Sequence, residues 1–301
     1  MYNEIALLAE KLGATTEFNA PMSRYTSFKA GGCAKLLIKP NSVDTLSKIL
    51  KECIDKQVNY LVIGNGSNLL ISDNGFNGVV IKIGSDISKI CLLDEETIYC
   101  EAGATMKALC NFAYENSLSG LEFAYGIPGT LGGAVYMNAG AYGGEMKDVL
   151  LSSKHIDNDG NVGEIIGEDL DLDYRRSAYT DNGFTIVSAI MKLKKADKVE
   201  IKASMNDKMS RRRDKQPLEY PSAGSTFKRP VGYFAGALIE QSGLKGYTVG
   251  GAQVSEKHAG FVINKDGATA TDIITLIKDV QKIVFDKFGV NLETEVKIIG
   301  E

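Results

Sequence analysis

The chain has 301 residues, of which 44% are hydrophobic and 24% charged, so it can bury a sizeable core in two or three subdomains. This composition excludes an intrinsically disordered chain and a small disulfide scaffold. The formal net charge of −4 gives no general attraction to nucleic acid or to an anionic membrane. We therefore expect neither a nucleic-acid nor a membrane partner, and any bound anion must be held by a local site.

The cysteines and the first residues predict a cytoplasmic protein. The five cysteines are an odd number and include no CxxC pair, which argues against a disulfide framework and against a zinc site. The opening residues MYNEIALLAEKLGA have no basic segment and no small-residue cleavage site. They predict a short amphipathic helix and not a signal peptide.

Hydrophobic periodicity predicts that helices and strands alternate along the chain. In chain order it predicts a helix over 43–57 with Ser42 at its N-cap, strands over 60–63, 78–83 and 97–101, a helix over 105–118, a strand over 184–193, helices over 198–213, 233–241 and 272–288, and a last strand over 292–299. The uncharged stretch 123–144 contains seven glycines and one proline and predicts a loop system. The whole is predicted to be an α+β protein of several subdomains, with a candidate linker at 196–199.

The first candidate ligand site follows the strand 60–63 and consists of Gly64, Asn65, Gly66, Ser67 and Asn68. Its two glycines let backbone N–H groups face an anion, and its last two side chains add donors, which suits a pyrophosphate. It is not a Rossmann fingerprint, because a leucine occupies the third glycine position. A tight turn without a ligand is an equally good explanation.

The second candidate is the glycine-rich stretch that begins at residue 126. So many small, uncharged residues indicate backbone wrapped around a flat, partly apolar ligand, and close packing of helices or strands is the alternative. The candidate residues are Gly126, Ile127, Pro128, Gly129, Thr130, Gly132, Gly133, Asn138 and Gly140. The sequence has no GK pair for a Walker A loop, no GxSxG elbow, and only two histidines, which are too far apart for a zincin.

A third candidate is scattered over four later segments. Its residues are Tyr174, Arg175 and Arg176 in YRRS, Lys215 beside three arginines, Ser225 in AGST, and Glu295 in LETE. On an extended chain the two neighbouring arginines would point to opposite sides, so one guanidinium would face a given pocket and could hold a carboxylate at two points. Each segment also fits a surface role without a ligand.

Seven segments together resemble the UDP-N-acetylenolpyruvoylglucosamine reductase (MurB) family of bacterial peptidoglycan synthesis. They are YTSFKAGGCAKLLIKP, VIGNGSNLLI, GLEFAYGIPGTLGGAVYMNAGAYG, YRRSAY, PSAGSTFKRP, SEKHAGFVIN and LETEVKIIG, in the family's order. The resemblance implies an FAD-binding fold of the vanillyl-alcohol oxidase type, made of two α+β subdomains (1–84 and 85–197), and a C-terminal α+β substrate-binding domain (198–289). The final strand, 290–301, has an alternative place in the first subdomain.

The resemblance also implies a reaction. FAD, bound non-covalently, would be reduced by NADPH and would reduce UDP-N-acetylglucosamine enolpyruvate to UDP-N-acetylmuramate. Residues 64–68 would hold the FAD pyrophosphate, and residues 126–133 would lie along the cofactor. Arg175 would stabilise the enolate, Glu295 would assist in protonated or water-bridged form, and Ser225 would donate the proton. Tyr174 and Lys215 are candidates for binding the substrate, Lys215 at its diphosphate.

Two departures from the family pattern matter. One branch of the family closes its site with an inserted tyrosine-bearing loop, and the short path from Arg176 to the strand at 184 leaves little room for it, so the chain resembles the other branch. Some members have FKNP where this chain has FKRP at 227–230, so an asparagine contact is not implied. Two alternatives stay open: a flavin-dependent alcohol or sugar oxidase, and a non-catalytic sugar-nucleotide binding protein.

Overall fold

The computed structural model describes residues 1–300 and groups them into two compact units. Unit 1 comprises Met1–Phe18, Leu36–Asn65 and Gly78–Arg211, and unit 2 comprises Asn19–Lys35, Gly66–Asn77 and the residues from Arg212 onward. Each unit has its own hydrophobic core. The division into three domains therefore stays a prediction.

Eight α-helices and eighteen strands are formed by the described residues. The helices are α1 (Tyr2–Lys11), α2 (Val43–Asp55), α3 (Met106–Glu115), α4 (Leu131–Tyr136), α5 (Ala178–Asn182), α6 (Lys198–Lys215), α7 (Ala235–Gln241) and α8 (Ala270–Phe288). The strands are β1 (Thr15–Pro21), β2 (Cys33–Lys39), β3 (Tyr60–Ile63), β4 (Leu69–Ile71), β5 (Phe76–Lys82), β6 (Ile90–Leu92), β7 (Thr97–Glu101), β8 (Leu118–Ser119), β9 (Gly140–Ala141), β10 (Gly144–Glu145), β11 (Leu150–Ile156), β12 (Val162–Ile166), β13 (Thr185–Lys192), β14 (Lys194–Lys195), β15 (Thr248–Val249), β16 (Ala252–Val254), β17 (Val262–Asn264) and β18 (Lys297–Ile299). Among residues 1–300, no helix is both long and apolar enough to cross a membrane.

Two sheets carry most of unit 1. The first has the strand order β1-β2-β5-β3, with β3 and β5 parallel, and the second has the antiparallel order β12-β11-β13-β7-β6. Helix α2 begins where predicted, because the Ser42 hydroxyl accepts a bond from the Thr45 amide at 3.1 Å. Its apolar side chains recur at helical spacing and are buried in the core of the unit, at Leu46, Ile49, Leu50 and Cys53.

Unit 2 is built around the long helix α8. Its buried stripe packs with the strands β15-β16-β17, and β18 pairs in parallel with β4. The stripe includes Ile273, Leu276, Ile277, Val280 and Val284, at the spacing that predicted the helix. A reciprocal capping box of Thr269 and Asp272 starts α8, and Gly289, with φ +67°, ends it.

Two parts of the sequence-based assignment were wrong. The stretch predicted as loops contains α4, whose buried Leu131, Ala134 and Val135 have helical spacing, but six residues are too few for a clear periodic signal. The last strand is shorter than predicted. It begins at Lys297, and the residues before it form a single bridge between Thr294 and Phe227.

The first turn of α8 has a second cap from a distant part of unit 2. The Asp73 carboxylate accepts bonds from the Ala270 amide (2.8 Å), the Thr271 amide (2.8 Å) and the Thr271 hydroxyl (2.7 Å). Burial raises the pKa of Asp73, but these hydrogen bonds outweigh it and leave the pKa below its ordinary value of 3.8. The charged carboxylate therefore stabilises the folded unit.

We expect Asp73→Asn to lower the free energy of unfolding by about 1 kcal/mol at neutral pH, a modest value because the side chain is exposed. The folded-state pKa lies below 3.8, so the wild-type advantage is full above that pH and is lost as the pH falls through the lowered pKa. Urea unfolding of both proteins at a series of acidic pH values measures this difference in the free energy of unfolding. The control is Asp286→Asn, which removes an exposed carboxylate paired with Lys282 on the same helix. An equal loss in both variants would contradict the capping role.

Candidate cofactor and catalytic site

Unit 1 contains a cavity of about 450 Å³. Four chain segments form its wall: the end of β2 with the residue after it, the turn after β3, the end of β5 with the turn that follows, and the connection from β7 into α3. The lining residues are Lys39, Pro40, Asn65, Lys82, Gly84, Ser85, Asp86, Ser88, Gly103, Ala104, Thr105 and Ala108. Of the predicted cofactor residues, Asn65 is the one on this wall.

The two glycine-rich segments predicted from the sequence meet in unit 1. The Asn65 side-chain amide donates to the Pro128 carbonyl at 3.1 Å. A Cβ placed on Gly64 would lie 2.1 Å from the Thr130 hydroxyl, so only glycine permits this approach. Residues 64–65 and 128–130 are therefore in contact, while their contact with a cofactor stays a prediction.

The second glycine-rich segment is tied to the cavity wall by backbone hydrogen bonds. The Leu131 amide donates to the Ala104 carbonyl at 2.8 Å, and the Met106 amide donates to the Gly129 carbonyl at 3.1 Å. Thr105 caps α3 with its side chain and forms a backbone bridge with Thr130. These bonds fix the position of the wall relative to the segment 128–131.

Gly84 leaves space open on the cavity wall. Its φ of −129° is open to residues with side chains, and a Cβ there would meet no atom within 4 Å. Neither backbone strain nor packing therefore explains glycine at this position on the cavity wall. A side chain at this position would occupy part of the cavity. Glycine leaves that space open for a bound group.

Two lysines make this cavity suitable for an anion. Lys82 donates to the Gly64 carbonyl at 2.8 Å, and burial, followed by repulsion from Lys39, lowers its pKa. The protein therefore holds two positive charges close together at a partly dry site. A diphosphate would relieve this repulsion and bind to the same side chains. Lys39, Lys82 and Gly84 are further candidates for holding the diphosphate of a cofactor, and sequence analysis missed all three because they stand outside any recognisable motif.

We expect Gly84→Val to retain the stability of the apoprotein and to lower the affinity for FAD at least tenfold, since its side chain would take up ligand space. Flavin content after purification and titration of the apoprotein with FAD measure the affinity. The melting temperature of the apoprotein is the internal control. Undiminished FAD affinity would show that the cofactor does not use this cavity.

The paired glycines of the second segment differ in their surroundings. A Cβ on Gly132 would lie 3.1 Å from the Ala102 Cβ, so packing explains that glycine. A Cβ on Gly133 would meet nothing within 4 Å, although glycine weakens a helix such as α4 by about 1 kcal/mol. Gly133 is thus the better candidate for an approach to the cofactor. A Cβ on Gly140 would lie 2.9 Å from the Gly144 carbonyl oxygen, so packing also explains the glycine at this position.

The first glycine motif continues into unit 2 at Gly66. Gly66 has φ +60°, and its Cβ would lie 2.2 Å from the Tyr25 carbonyl, so this position requires glycine for backbone reasons. The Asn68 side chain donates to the Glu295 carbonyl at 3.1 Å, and Ser67 is half-buried. The amide of Asn68 therefore holds the LETE segment, and its predicted contact with the pyrophosphate stays untested.

Arg175 lies in a tight turn and not on extended chain, which corrects the sequence expectation. Its φ is +57°, a left-handed conformation that costs a residue with a side chain about 1 kcal/mol or more, and Asp173 and Arg176 bond to each other across it. The Arg175 guanidinium donates to the Gly140 carbonyl at 3.4 Å and lies 5.0 Å from the centre of the Tyr174 ring. Tyr174 is exposed.

Arg176 has different surroundings from its neighbour. Its guanidinium pairs with Asp171 at 2.8 Å and with Asp181 at 2.6 Å. It is therefore a local structural contact in unit 1. The expectation that the two arginines face different surroundings agrees with these contacts, although the geometry that produces the difference is a turn and not a strand.

Asn138 is fully buried and its side chain is used within the fold. It donates to the Glu145 carboxylate (2.9 Å) and the Asp173 carbonyl (3.1 Å), and accepts from the Lys147 amide (2.9 Å). Both of its amide hydrogens are engaged, so a side-chain bond to a cofactor would have to replace one of them. Its bond to the turn at residue 173 helps to fix the backbone that carries Arg175.

The segments that carry two of the three predicted catalytic residues, Ser225 and Glu295, are paired in unit 2. The Glu295 amide donates to the carbonyl of Thr226 at 2.8 Å, and the Lys228 amide donates to the carbonyl of Glu293, also at 2.8 Å. These bonds align the segment after Ser225 with the LETE segment. Ser225 is exposed and Glu295 is half-buried. Lys215, the last residue of α6, is exposed.

Comparison with known proteins assigns a family to this arrangement. Residues 34–165 match the family model of an FAD binding domain, and residues 216–299 match that of the UDP-N-acetylenolpyruvoylglucosamine reductase C-terminal domain. A UDP-N-acetylenolpyruvoylglucosamine reductase of Syntrophomonas wolfei is 48% identical over 100% of both chains. One of Clostridium botulinum is 51% identical over 93% of this chain and 91% of its own.

A solved structure agrees with the sequence comparison. The crystal structure of UDP-N-acetylenolpyruvylglucosamine reductase (MurB) from Thermus caldophilus superposes with a TM-score of 0.81 at 33% identity and covers 95% of this chain and 98% of its own. The resemblance of the seven motifs, the family models and the relatives of matching length all agree. The chain belongs to the UDP-N-acetylenolpyruvoylglucosamine reductase (MurB) family.

Proposed function

We propose that the chain catalyses the reduction of UDP-N-acetylglucosamine enolpyruvate to UDP-N-acetylmuramate, with FAD as cofactor and NADPH as reductant, in the synthesis of peptidoglycan precursors. The observation that carries the proposal is the 48% identity to a reductase of this name over the whole chain. The lysine-bearing cavity of unit 1 supports the cofactor, because its charge and open space suit a dinucleotide.

FAD, when bound, would supply the two-electron chemistry by which a hydride from NADPH is added to the methylene carbon of the enolpyruvyl group. Addition there breaks the carbon–carbon double bond and places negative charge on the neighbouring carbon and the carboxylate. We assign Arg175 to the stabilisation of this enolate, because a guanidinium can bind a carboxylate at two points. Glu295 assists in protonated or water-bridged form.

The carbon that carries the negative charge must then be protonated, which completes the addition of two hydrogens across the double bond. We assign this proton to the Ser225 hydroxyl. Serine is a very weak acid, so only a strongly basic group such as an enolate can take its proton. The exposure of Ser225, and its place beside the segment that carries Glu295, support this role.

Binding of the substrate is assigned to Lys215 at the diphosphate and to Tyr174 beside Arg175. Both side chains are exposed, which a binding role requires. The partners in this proposal are small molecules, the sugar nucleotide and NADPH. We also propose a cytoplasmic location, where the five free thiols of the chain would stay reduced.

One experiment tests the proposed function. The purified protein is expected to show the visible absorption of oxidised flavin, to lose it when NADPH is added without oxygen, and to recover it when the enolpyruvyl sugar nucleotide follows. A colourless protein that still binds the sugar nucleotide would favour a binding protein without catalysis. A reduced protein that is reoxidised by oxygen but not by the sugar nucleotide would favour an oxidase.

A further inference from the structure

The backbone of Glu295 is fixed by two other segments of unit 2. Its carbonyl accepts a bond from the Asn68 side-chain amide at 3.1 Å, and its amide donates to the Thr226 carbonyl at 2.8 Å. Glu295 lies outside the strands, between the bridge at Thr294 and the start of β18. The Asn68 side chain therefore takes the place of a strand partner for this carbonyl. With both of its backbone polar groups bonded, Glu295 presents its side chain in a fixed direction.

Ser225 lies between two anchors on its own segment. Three residues before it, the Ser222 carbonyl accepts a bond from the Ser27 hydroxyl at 2.6 Å. Directly after it, Thr226 is 1% exposed, and its hydroxyl accepts a bond of 2.9 Å from the first amide of β17. The chain between the anchors turns at Gly224, with φ +77°. Since glycine leaves this turn conformational freedom, the anchor at Ser222 is needed to fix the position of the Ser225 hydroxyl.

Both sets of bonds lead to residues 66–68, the part of the first glycine motif that belongs to unit 2. The Ser27 amide donates to the Gly66 carbonyl at 3.1 Å, so Ser27 bonds to the motif with its backbone and to the Ser225 segment with its hydroxyl. Asn68 is the last residue of the motif, and its own carbonyl accepts a bond of 3.0 Å from the first amide of β18. Two segments that are distant in the sequence are therefore held against the same three residues.

We propose that Ser27 and Asn68 are positioning residues for the reduction of the enolpyruvyl group. Ser27 sets the position of the Ser225 hydroxyl, and Asn68 sets that of the Glu295 carboxyl group. This proposal rests on the proposed function, in which the same glycine motif binds FAD. The carbon that accepts the hydride and the carbon that accepts the proton are neighbours, so the flavin and the proton donor must be placed from a common frame.

Asn68→Asp keeps the size of the side chain and removes its N–H donor. We expect the second half-reaction, measured at saturating sugar nucleotide, to slow about 10- to 100-fold, because small misplacements of catalytic groups have effects of this size. The affinity for FAD and the rate of flavin reduction by NADPH are expected to stay unchanged. Asn68→Ala removes the donor without adding a charge and should slow the same step, which protects the test against a folding defect in the aspartate variant.

A different result would assign the Asn68 side chain to the cofactor. Direct contact with the pyrophosphate predicts that both variants lose affinity for FAD, while the second half-reaction of the loaded protein keeps its wild-type rate. That outcome would overturn the positioning role of Asn68.

Ser27→Ala keeps the backbone bond to Gly66 and removes the hydroxyl bond to Ser222. We expect the second half-reaction to slow about tenfold, with flavin reduction by NADPH unchanged. The solvent deuterium isotope effect on the second half-reaction should increase, because proton transfer from Ser225 becomes slower relative to hydride transfer. A purely structural role of Ser27 would lower thermal stability and leave this isotope effect unchanged.

Matched controls remove the same kinds of bond in unit 1. Asn116→Asp loses an amide bond of 2.8 Å to the Phe112 carbonyl, and Ser47→Ala loses a hydroxyl bond of 2.8 Å to the Gly160 carbonyl. Both side chains are half-buried, as Asn68 and Ser27 are. Neither control is expected to change either half-reaction.

Double variants test whether the two residues act through their neighbours. Asn68→Asp is expected to slow the Glu295→Gln protein little further. In the same way, Ser27→Ala is expected to slow the Ser225→Ala protein little further. Effects that multiply, equal slowing in the control variants, or equal slowing of reduction by NADPH would each overturn the proposal. Wild-type protein that fails to turn over the sugar nucleotide at all would instead overturn the proposed function.

Discussion

Ser225→Ala is expected to lower turnover of the enolpyruvyl substrate by about 10²- to 10⁴-fold, the usual contribution of a positioned acid. Reduction of the flavin by NADPH should keep its wild-type rate, because the hydroxyl takes no part in that step. The two half-reactions are measured separately in a stopped-flow instrument without oxygen, from the loss and the return of the flavin absorbance. The affected step is then identified directly.

Ser222→Ala is the matched control for this variant. Ser222 lies three residues before Ser225 on the same segment, and its described bond is made by its backbone carbonyl, which accepts from the Ser27 hydroxyl at 2.6 Å. Its side chain has no role in the proposed chemistry. Normal turnover of Ser225→Ala, or slowing of both half-reactions to the same extent, would show that Ser225 is not the proton donor.

Arg175→Lys is expected to lower the rate of the second half-reaction by about 10²- to 10³-fold, the range found when one donor to a developing oxyanion is removed. Lysine retains the positive charge, but a single ammonium cannot make the two-point contact of a guanidinium. The left-handed backbone at φ +57° is equally unfavourable for both side chains, so stability should change little. Single-turnover rates and thermal unfolding measure the two effects.

Arg176→Lys tests whether the effect is specific to its neighbour. Arg176 has the same charge and an adjacent position, but its guanidinium is occupied by Asp171 and Asp181. Exposed ion pairs of this kind contribute little, so its loss should change neither rate nor stability by much. Equal losses in both variants would show that the effect is not specific to the Arg175 guanidinium, and near-normal turnover of Arg175→Lys would remove Arg175 from the catalytic group.

Local patterns predicted much of the fold. Helices α2 and α8 were recognisable because a capping residue precedes a long stripe of buried side chains. Both signals come from residues that are close together in the sequence. Helix α4 was missed because it is six residues long and includes two glycines, so neither propensity nor periodicity marks it. Its stability comes from contacts with distant residues such as Ala102 and Ala104.

The site was predicted where motifs exist and missed where it depends on tertiary structure. Sequence patterns singled out residues 64–68 and 126–133, and the structure brings parts of them together. The lysines of the cavity could not be found in this way, since Lys39 and Lys82 end two strands that are 43 positions apart in the numbering of the chain. The turn at Arg175 also escaped prediction, because a positive φ at an arginine depends on bonds such as that from Asn138 to the Asp173 carbonyl.

The discontinuity of unit 2 has a consequence for synthesis on the ribosome. Phe28 and Leu70 are fully buried in its core, yet most of the residues that cover them follow Arg212. Strand β4 pairs with β18, which is almost the last segment to be made. The early apolar segments therefore stay without their core partners during most of translation. We expect such a nascent chain to need protection from aggregation until its C-terminal residues have left the ribosome.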